Sequence, residues 1–445
     1  MKFRRIIAAT LVLTSGSVGT ALAGNTGPPS STVSQSAPPT SAIAAPKPVP
    51  PFKPLPRGAT GAEIQKALHT YASSTGQTYT VNGADFRPGS RPKSKPAMAP
   101  AAVPDRFTYL TPEQCRTKPE GRMDFASNYV GKIQNHWQWC GWIDMQAYTT
   151  TPHLLTGVPV KNASIDFRLT IIGWGSSTDS SIKFNLYVDN IRNPIKMTPQ
   201  NTSLTFRPWC DGMSGGSCSL PNAQTGTIAA LSTGAVSMTT TVNLPTASAT
   251  NPDRITTFLA GINVEDTSTL APGQIATIGS IKPLIRCDGA TAPNRGGFTT
   301  NACIYPGVSA AYSLSKSDPV IGEVAQHIYW AQTDPNSTTP LPAAGDQKSI
   351  PHEVQREVDP VKRDANGDVA THTCDTQLQQ PRPPGKSCDE YPFRSTKQGA
   401  ATGLNDYSVA LITDTHNSLE GSQRGQWYTD DRYLDGDYFR VVVTP

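Results

Sequence analysis

From about residue 105 to 315 the chain alternates apolar with polar positions. Ser164-Ile165-Asp166-Phe167-Arg168-Leu169-Thr170-Ile171 and Ser181-Ile182-Lys183-Phe184-Asn185-Leu186-Tyr187-Val188 put every second side chain on one face, as half-buried antiparallel strands do. Ala235 to Leu244 and Ile255 to Val264 add runs rich in Thr, Val and Ile, separated by Gly, Pro, Asn and Asp turns. Short strands at this spacing predict an antiparallel all-β, sandwich-like domain over 105–315. Beyond Ser317 the period changes. Val320-Ile321, Val324-Ala325 and Ile328-Tyr329 recur three to four residues apart, which predicts a helical face between Pro319 and Gln332. Polar, Pro-containing sequence from Thr333 to Lys386 predicts loops, followed by strands at Tyr407 to Thr413 and Phe439 to Thr444. Residues 316–445 are therefore expected to form a small α+β domain of a multidomain protein.

The N-terminal part follows neither period. Met-Lys-Phe-Arg-Arg, the apolar stretch Ile6 to Leu13 and Ala21-Leu22-Ala23 have the order of a secretory signal peptide over 1–23, which predicts a secreted, extracellular protein. Gly24 to Arg57 is Pro, Ser, Thr and Ala, too apolar-poor to offset the entropy of ordering. Ile64, Leu68 and Tyr71 stand at helical spacing, and Arg87 to Pro104 is again rich in Pro, Lys and Arg. Residues 24–104 are expected to be a disordered Pro-rich linker with one short helix.

Composition narrows the class. With 445 residues, 16% charged and 40 Pro, the chain suits two to three domains plus linkers and excludes a coiled coil. No apolar run reaches the roughly 20 residues of a membrane span. Eight cysteines fall into four local pairs, Cys115 with Cys140, Cys210 with Cys218, Cys287 with Cys303 and Cys374 with Cys388. In an exported chain without a CxxC motif, disulfides are expected rather than a thiolate metal site. Residues 316–445 carry 12 Lys+Arg against 19 Asp+Glu, which leaves 26 against 15 for the rest. The basic part suits nucleic acid or an anionic cell wall, and equally a signal plus a solubilising tail.

The densest chemistry is Cys388-Asp389-Glu390-Tyr391-Pro392-Phe393. Adjacent carboxylates beside a disulfide can bind a hard cation or orient water, although such pairs are commonly solvated surface. Phosphate-cradling GxxxxGK[ST], GxSxG and a complete HExxH are absent from the sequence. Asp364-Ala365-Asn366-Gly367-Asp368 has its Gly two places early for a calcium loop and reads as a turn, and Asp435-Gly436-Asp437 reads as a hairpin signal. Trp137, Trp139, Trp142 and Trp174 suit a carbohydrate-binding row or a packed core.

The Cys-Asp-Glu-Tyr-Pro-Phe string, with Val320 to Ile328 upstream and Tyr407-Ser408-Val409, His416-Asn417-Ser418, Gly425 to Tyr428 and Leu434 to Phe439 downstream, resembles the NucA/NucB family of secreted bacterial deoxyribonucleases over about 316–445. The resemblance implies non-specific, metal-dependent endonucleolytic cleavage of DNA with Mg²⁺ or Mn²⁺. It implies Asp389 as metal ligand or base, Glu390 as its partner at the metal, His327 as proton shuttle or phosphate contact, and Asn417 as a positioning amide. Ala410 stands where some relatives carry Glu, with Glu420 in an irregular Ser418 to Ser422 turn as the substitute, and Arg394 replaces a small residue. These departures motivate a second reading, a secreted cell-surface or carbohydrate-binding protein with a degenerate nuclease-like domain. A third is a nuclease toxin with an immunity-protein partner.

Overall fold

A computed structural model describes residues 30–35, 48–123, 130–266, 277–280, 283–291 and 295–445. The expected signal peptide, residues 1–23, lies outside them. The described part is mostly β with a few helices.

The alternating region forms two antiparallel sheets, one of seven strands and one of six. The first is built on a long hairpin, Gln138–Pro152 against Pro159–Trp174, and continues through Ser181–Ile195 and Val236–Asn243. The second centres on Thr256–Asp266, flanked by Ser203–Asp211 and Leu284–Asp288. Phe167, Leu169, Ile171, Phe184 and Leu186 of the first sheet share one core with Phe206, Phe258, Ile262 and Ile285 of the second. The period-two pattern is the inner face of that core. Trp137, Trp139, Trp142 and Trp174 are all buried, so the structure overturns the exposed carbohydrate-binding row. Three of them join Phe107, Tyr109 and Leu110 in a second core that covers part of the outer face.

The linker expectation for 24–104 is corrected in several places. The strand Ser30–Gln35 pairs with Gln138–Pro152. Helix α1, Gly61–Thr75, is capped by a reciprocal Thr60–Glu63 box and ended by left-handed Gly76 (φ 63°), and it buries Ile64, Leu68 and Tyr71. The strand Thr78–Asn82 then runs parallel to Ser309–Ser315, which runs parallel to the C-terminal strand Tyr438–Thr444. Its partner lies more than 200 residues away, so nothing local announces it. Ser309–Ser315 falls in the expected sandwich domain by sequence, yet its hydrogen bonds go to this four-stranded sheet.

The C-terminal part contains α2 (Gly322–Thr333), α3 (Pro360–Gln377), an antiparallel hairpin of Lys386–Tyr391 with Ser408–Thr413, and α4 (Asp414–Asp430). Helix α3 replaces the loops expected between Thr333 and Lys386, and the expected turn at Asp364 to Asp368 lies inside it. It has little apolar face to show in sequence. Asp359 caps it, Pro360 starts it, and the Cys374–Cys388 disulfide fastens it to the hairpin. The irregular turn expected at Ser418 to Ser422 is likewise helical, within α4. All four expected disulfides are present.

A buried ionic seam joins the sandwich to the C-terminal part. Arg286 donates to Asp437 at 2.7 and 2.8 Å, and Arg432 Nε donates to Asp288 at 3.0 Å. Tyr79 and Trp427 both donate to Asp431 Oδ2, and Trp137 Nε1 donates to the Asp430 carbonyl.

Candidate active site

The hairpin followed directly by α4 is a β–β–α unit, and the sequence-derived residues gather on it. Along Lys386–Tyr391 successive side chains point to opposite faces. Ser387, Asp389 and Tyr391 therefore share one face, and Cys388 and Glu390 the other. Asp389 is buried and its Oδ2 lies 2.6 Å from His327 Nδ1 on α2. The other ring nitrogen, His327 Nε2, lies 2.8 Å from Ser408 Oγ across the hairpin. His327 is buried with both ring nitrogens within hydrogen-bond distance of these two partners. Ser408 had no signal in the sequence beyond its place in the strand.

Glu390 is half-buried, and its Oε1 accepts the Arg394 backbone N–H at 3.1 Å. Withdrawal from water and repulsion from Asp389 push its carboxyl up to about 7, against the pull of the Arg394 amide and of the Arg424 and Arg394 guanidiniums. A carboxyl near 7 can exchange a proton at neutral pH. Asn417, in the first turn of α4, donates to the Cys388 carbonyl at 2.8 Å and to Ser387 Oγ at 3.1 Å. These bonds tie the helix start onto the strand carrying both carboxylates.

Three further groups stand out, of which Glu420 was expected as a substitute carboxylate in a turn and Arg363 had no signal in the sequence. His416, beside Asn417, has a buried Nδ1 without a hydrogen-bond partner. Glu420 is buried in α4 and takes both Arg424 Nε and Nη2, at 2.9 and 3.0 Å, an i,i+4 spacing that the sequence does contain. Arg424 also stacks over Phe393 at 3.7 Å and donates to Ser395, which fixes the loop after Glu390. Arg363 on α3 has an unpartnered Nε, and its acidity is raised by burial and by the nearby cations Arg394 and Arg424. The basic side chains Arg382, Lys386, Arg394, Lys397 and Arg424 each hold a carboxylate, on Asp375, Glu323, Asp364, Asp435 and Glu420 respectively.

The family resemblance implies a divalent cation, but Asp389 and Glu390 point to opposite faces of their strand, and the unpartnered His416 Nδ1 lies on the helix that follows the hairpin. Among the described residues no cluster of three or more His, Cys, Asp or Glu is arranged around one ion. Mg²⁺ is commonly held by one or two carboxylates together with water and substrate phosphates, which this donor set can match.

Residues 345–442 match a family model described as Deoxyribonuclease NucA/NucB. The match contains Asp389, Glu390 and Asn417 and begins after α2, so His327 reaches the site from outside it. No curated protein matches the chain. Residues 345–442 are thus similar to a NucA/NucB deoxyribonuclease domain, which supports a deoxyribonuclease function for the C-terminal region in general terms.

Proposed function

We propose that the chain is a secreted, metal-dependent endodeoxyribonuclease that hydrolyses DNA phosphodiester bonds without sequence preference. The observation that carries this reading is the pair of carboxylates on a family-matched hairpin whose following helix is tied back by Asn417. Of the two carboxylates, one on each face of the strand, Asp389 would hold Mg²⁺ or Mn²⁺ together with water and substrate phosphate, and the bound ion would neutralise charge developing on the phosphate. His327 keeps Asp389 in one orientation through its 2.6 Å bond. Glu390, its carboxyl raised by burial and by Asp389, would serve as the proton-exchanging group on the other face of the strand. Arg363, with Arg394 and Arg424 close by, offers positive charge to the phosphate backbone, so an acidic domain retains a local electropositive site. Glu420, paired with Arg424, positions that arginine and does not stand in for the Glu absent at Ala410.

Export to the extracellular space is supported by the Met1 to Ala23 pattern and the four disulfides. Plasmid DNA digested by the full oxidised chain should be nicked with Mg²⁺ or Mn²⁺ and left intact in EDTA. Asp389→Ala should lower the rate by about 10²–10⁴-fold while near-UV circular dichroism is unchanged. Undiminished nicking by the folded variant rejects the assignment.

A further inference from the structure

The long hairpin that founds the first sheet runs out of partners at its tip. Leu154 is 101% exposed and Leu155 90% exposed, with Val158, Val160 and, on the neighbouring strand, Ile195 also exposed. The tip is an ordered turn. His153 N donates to the Val158 carbonyl at 2.9 Å, Gly157 N donates to the His153 carbonyl at 2.9 Å, and Gly157 takes φ 68°, a conformation that glycine adopts without strain. Two adjacent leucines held in water on a fixed turn are a cost to the isolated chain, and such patches mark interaction surfaces.

The charge around the tip selects the occupant. Between residues 145 and 165, and between 190 and 210, the sequence has no Asp or Glu. Lys161, opposite Thr150 on the strand leaving the turn, is exposed with its Nζ on Gln146 Oε1, and Lys196, also exposed, sits beside Ser164 further down the sheet. Asp166, further down the same strand, has its two oxygens taken by Gln146 and Asn193, at 2.6 and 2.7 Å. Glu265, at the end of its strand in the second sheet, is held by Arg207 at 2.9 and 3.2 Å. We propose that this tip docks on an anionic phospholipid bilayer, the leucines entering the acyl boundary while Lys161 and Lys196 stay at the headgroups. A shallow apolar wedge backed by cations matches the two layers of such a surface in order and in sign.

The inference is independent of the nuclease reading and has its own readout. The full oxidised chain is sedimented with vesicles of phosphatidylcholine alone and of phosphatidylcholine with phosphatidylglycerol. Binding is expected to the mixed vesicles, weakening with salt. Leu154→Asp with Leu155→Asp should cut the partition coefficient by about ten-fold or more, and Lys161→Gln with Lys196→Gln should cut it less. Both leucines lie outside every core, so the double variant should fold normally and keep whatever DNA cleavage the parent has in solution. Absence of binding by the parent, equal binding by the leucine variant, or leucine-dependent self-association in sedimentation velocity without lipid would each overturn the proposal.

Discussion

The seam between sandwich and C-terminal sheet and the hairpin beneath α2 both bury charged side chains, but they close their accounts differently. In the seam both arginines meet carboxylates, Arg286 with Asp437 and Arg432 with Asp288, while Asp431 is held by Tyr79, Trp427 and the His136 ring. At the hairpin Asp389 meets only the ring of His327, Glu390 meets a backbone amide, and Arg363 and His416 each keep a buried nitrogen unpaired. Burial of charge alone therefore does not mark a site in this protein. Unpaired buried atoms occur in both, Arg286 Nε and Asp431 Oδ1 in the seam among them, so what separates the two regions is that the seam's arginines are matched by carboxylates whereas, among the described residues, neither Asp389 nor Glu390 has an arginine or lysine paired with it.

That contrast predicts opposite phenotypes. Asp389→Ala, with the largest effect, should remove about 10²–10⁴-fold of DNA cleavage at nearly unchanged stability. Arg432→Ala should do the reverse, since it strands Asp288 without its cation in a dry seam. Breaking such a pair costs about 3–5 kcal/mol, readable as a lower midpoint in urea titration, with cleavage per folded molecule retained. Were Arg432→Ala to be stable but inactive, the seam would belong to the catalytic apparatus and the comparison would fail.

A sharper test concerns how the site is fastened. The Cys374–Cys388 bridge spans a separation of 14 residues and joins α3 to the strand bearing both carboxylates. Replacing both cysteines by serine should cost about 3 kcal/mol, by the entropy of a closed loop of that size. His327→Ala should cost less stability and about 10- to 100-fold of activity, as removal of a group that orients a metal-binding carboxylate does. If the two variants lost activity in proportion to their stability, His327 would be packing rather than a brace.

What could be read from the chain follows from where each element finds its partners. Ser164 to Ile171 and Ser181 to Val188 announced themselves because each alternates over one shared core. Thr78–Asn82 did not, because it is completed by Ser309–Ser315 and lacks any local signal. Helix α3 stayed hidden for another reason. Only Asn366, Ala370, Thr373 and Cys374 are buried along it, and Asn366 serves as a polar anchor, donating to the Arg394 and Thr396 carbonyls at 3.0 and 3.1 Å. Such a helix is specified by hydrogen bonds and a disulfide, which hydrophobic periodicity does not detect. In the site, Asp389, Glu390, His327 and Asn417 were visible as a motif and the Glu420–Arg424 pair as an i,i+4 spacing, whereas the contacts of Ser408 and Arg363 depend on three-dimensional convergence.

The smallest predicted effect probes how α2 is held above the hairpin. Glu323, in the first turn of α2, accepts Thr413 N at 2.7 Å, Thr413 Oγ1 at 2.8 Å and Lys386 Nζ at 2.9 Å, which ties the His327 helix to both hairpin strands. The Thr413 amide foremost, with Lys386 and the Thr413 hydroxyl, holds its carboxyl down to about 2 from an unfolded value of 4.5. Because the folded value is the lower one, the unfolded chain binds more protons between these limits, so stability rises with pH there. The contribution is complete above about 4.5 and disappears as pH falls toward 2. Glu323→Gln should flatten that acid limb in urea titrations at successive pH values and leave the curve above it nearly parallel to the parent. An unchanged acid limb would mean that α2 is held in place by the buried Val324, Ala325 and Ile328 alone, and that the His327–Asp389 contact does not rely on the Glu323 clamp.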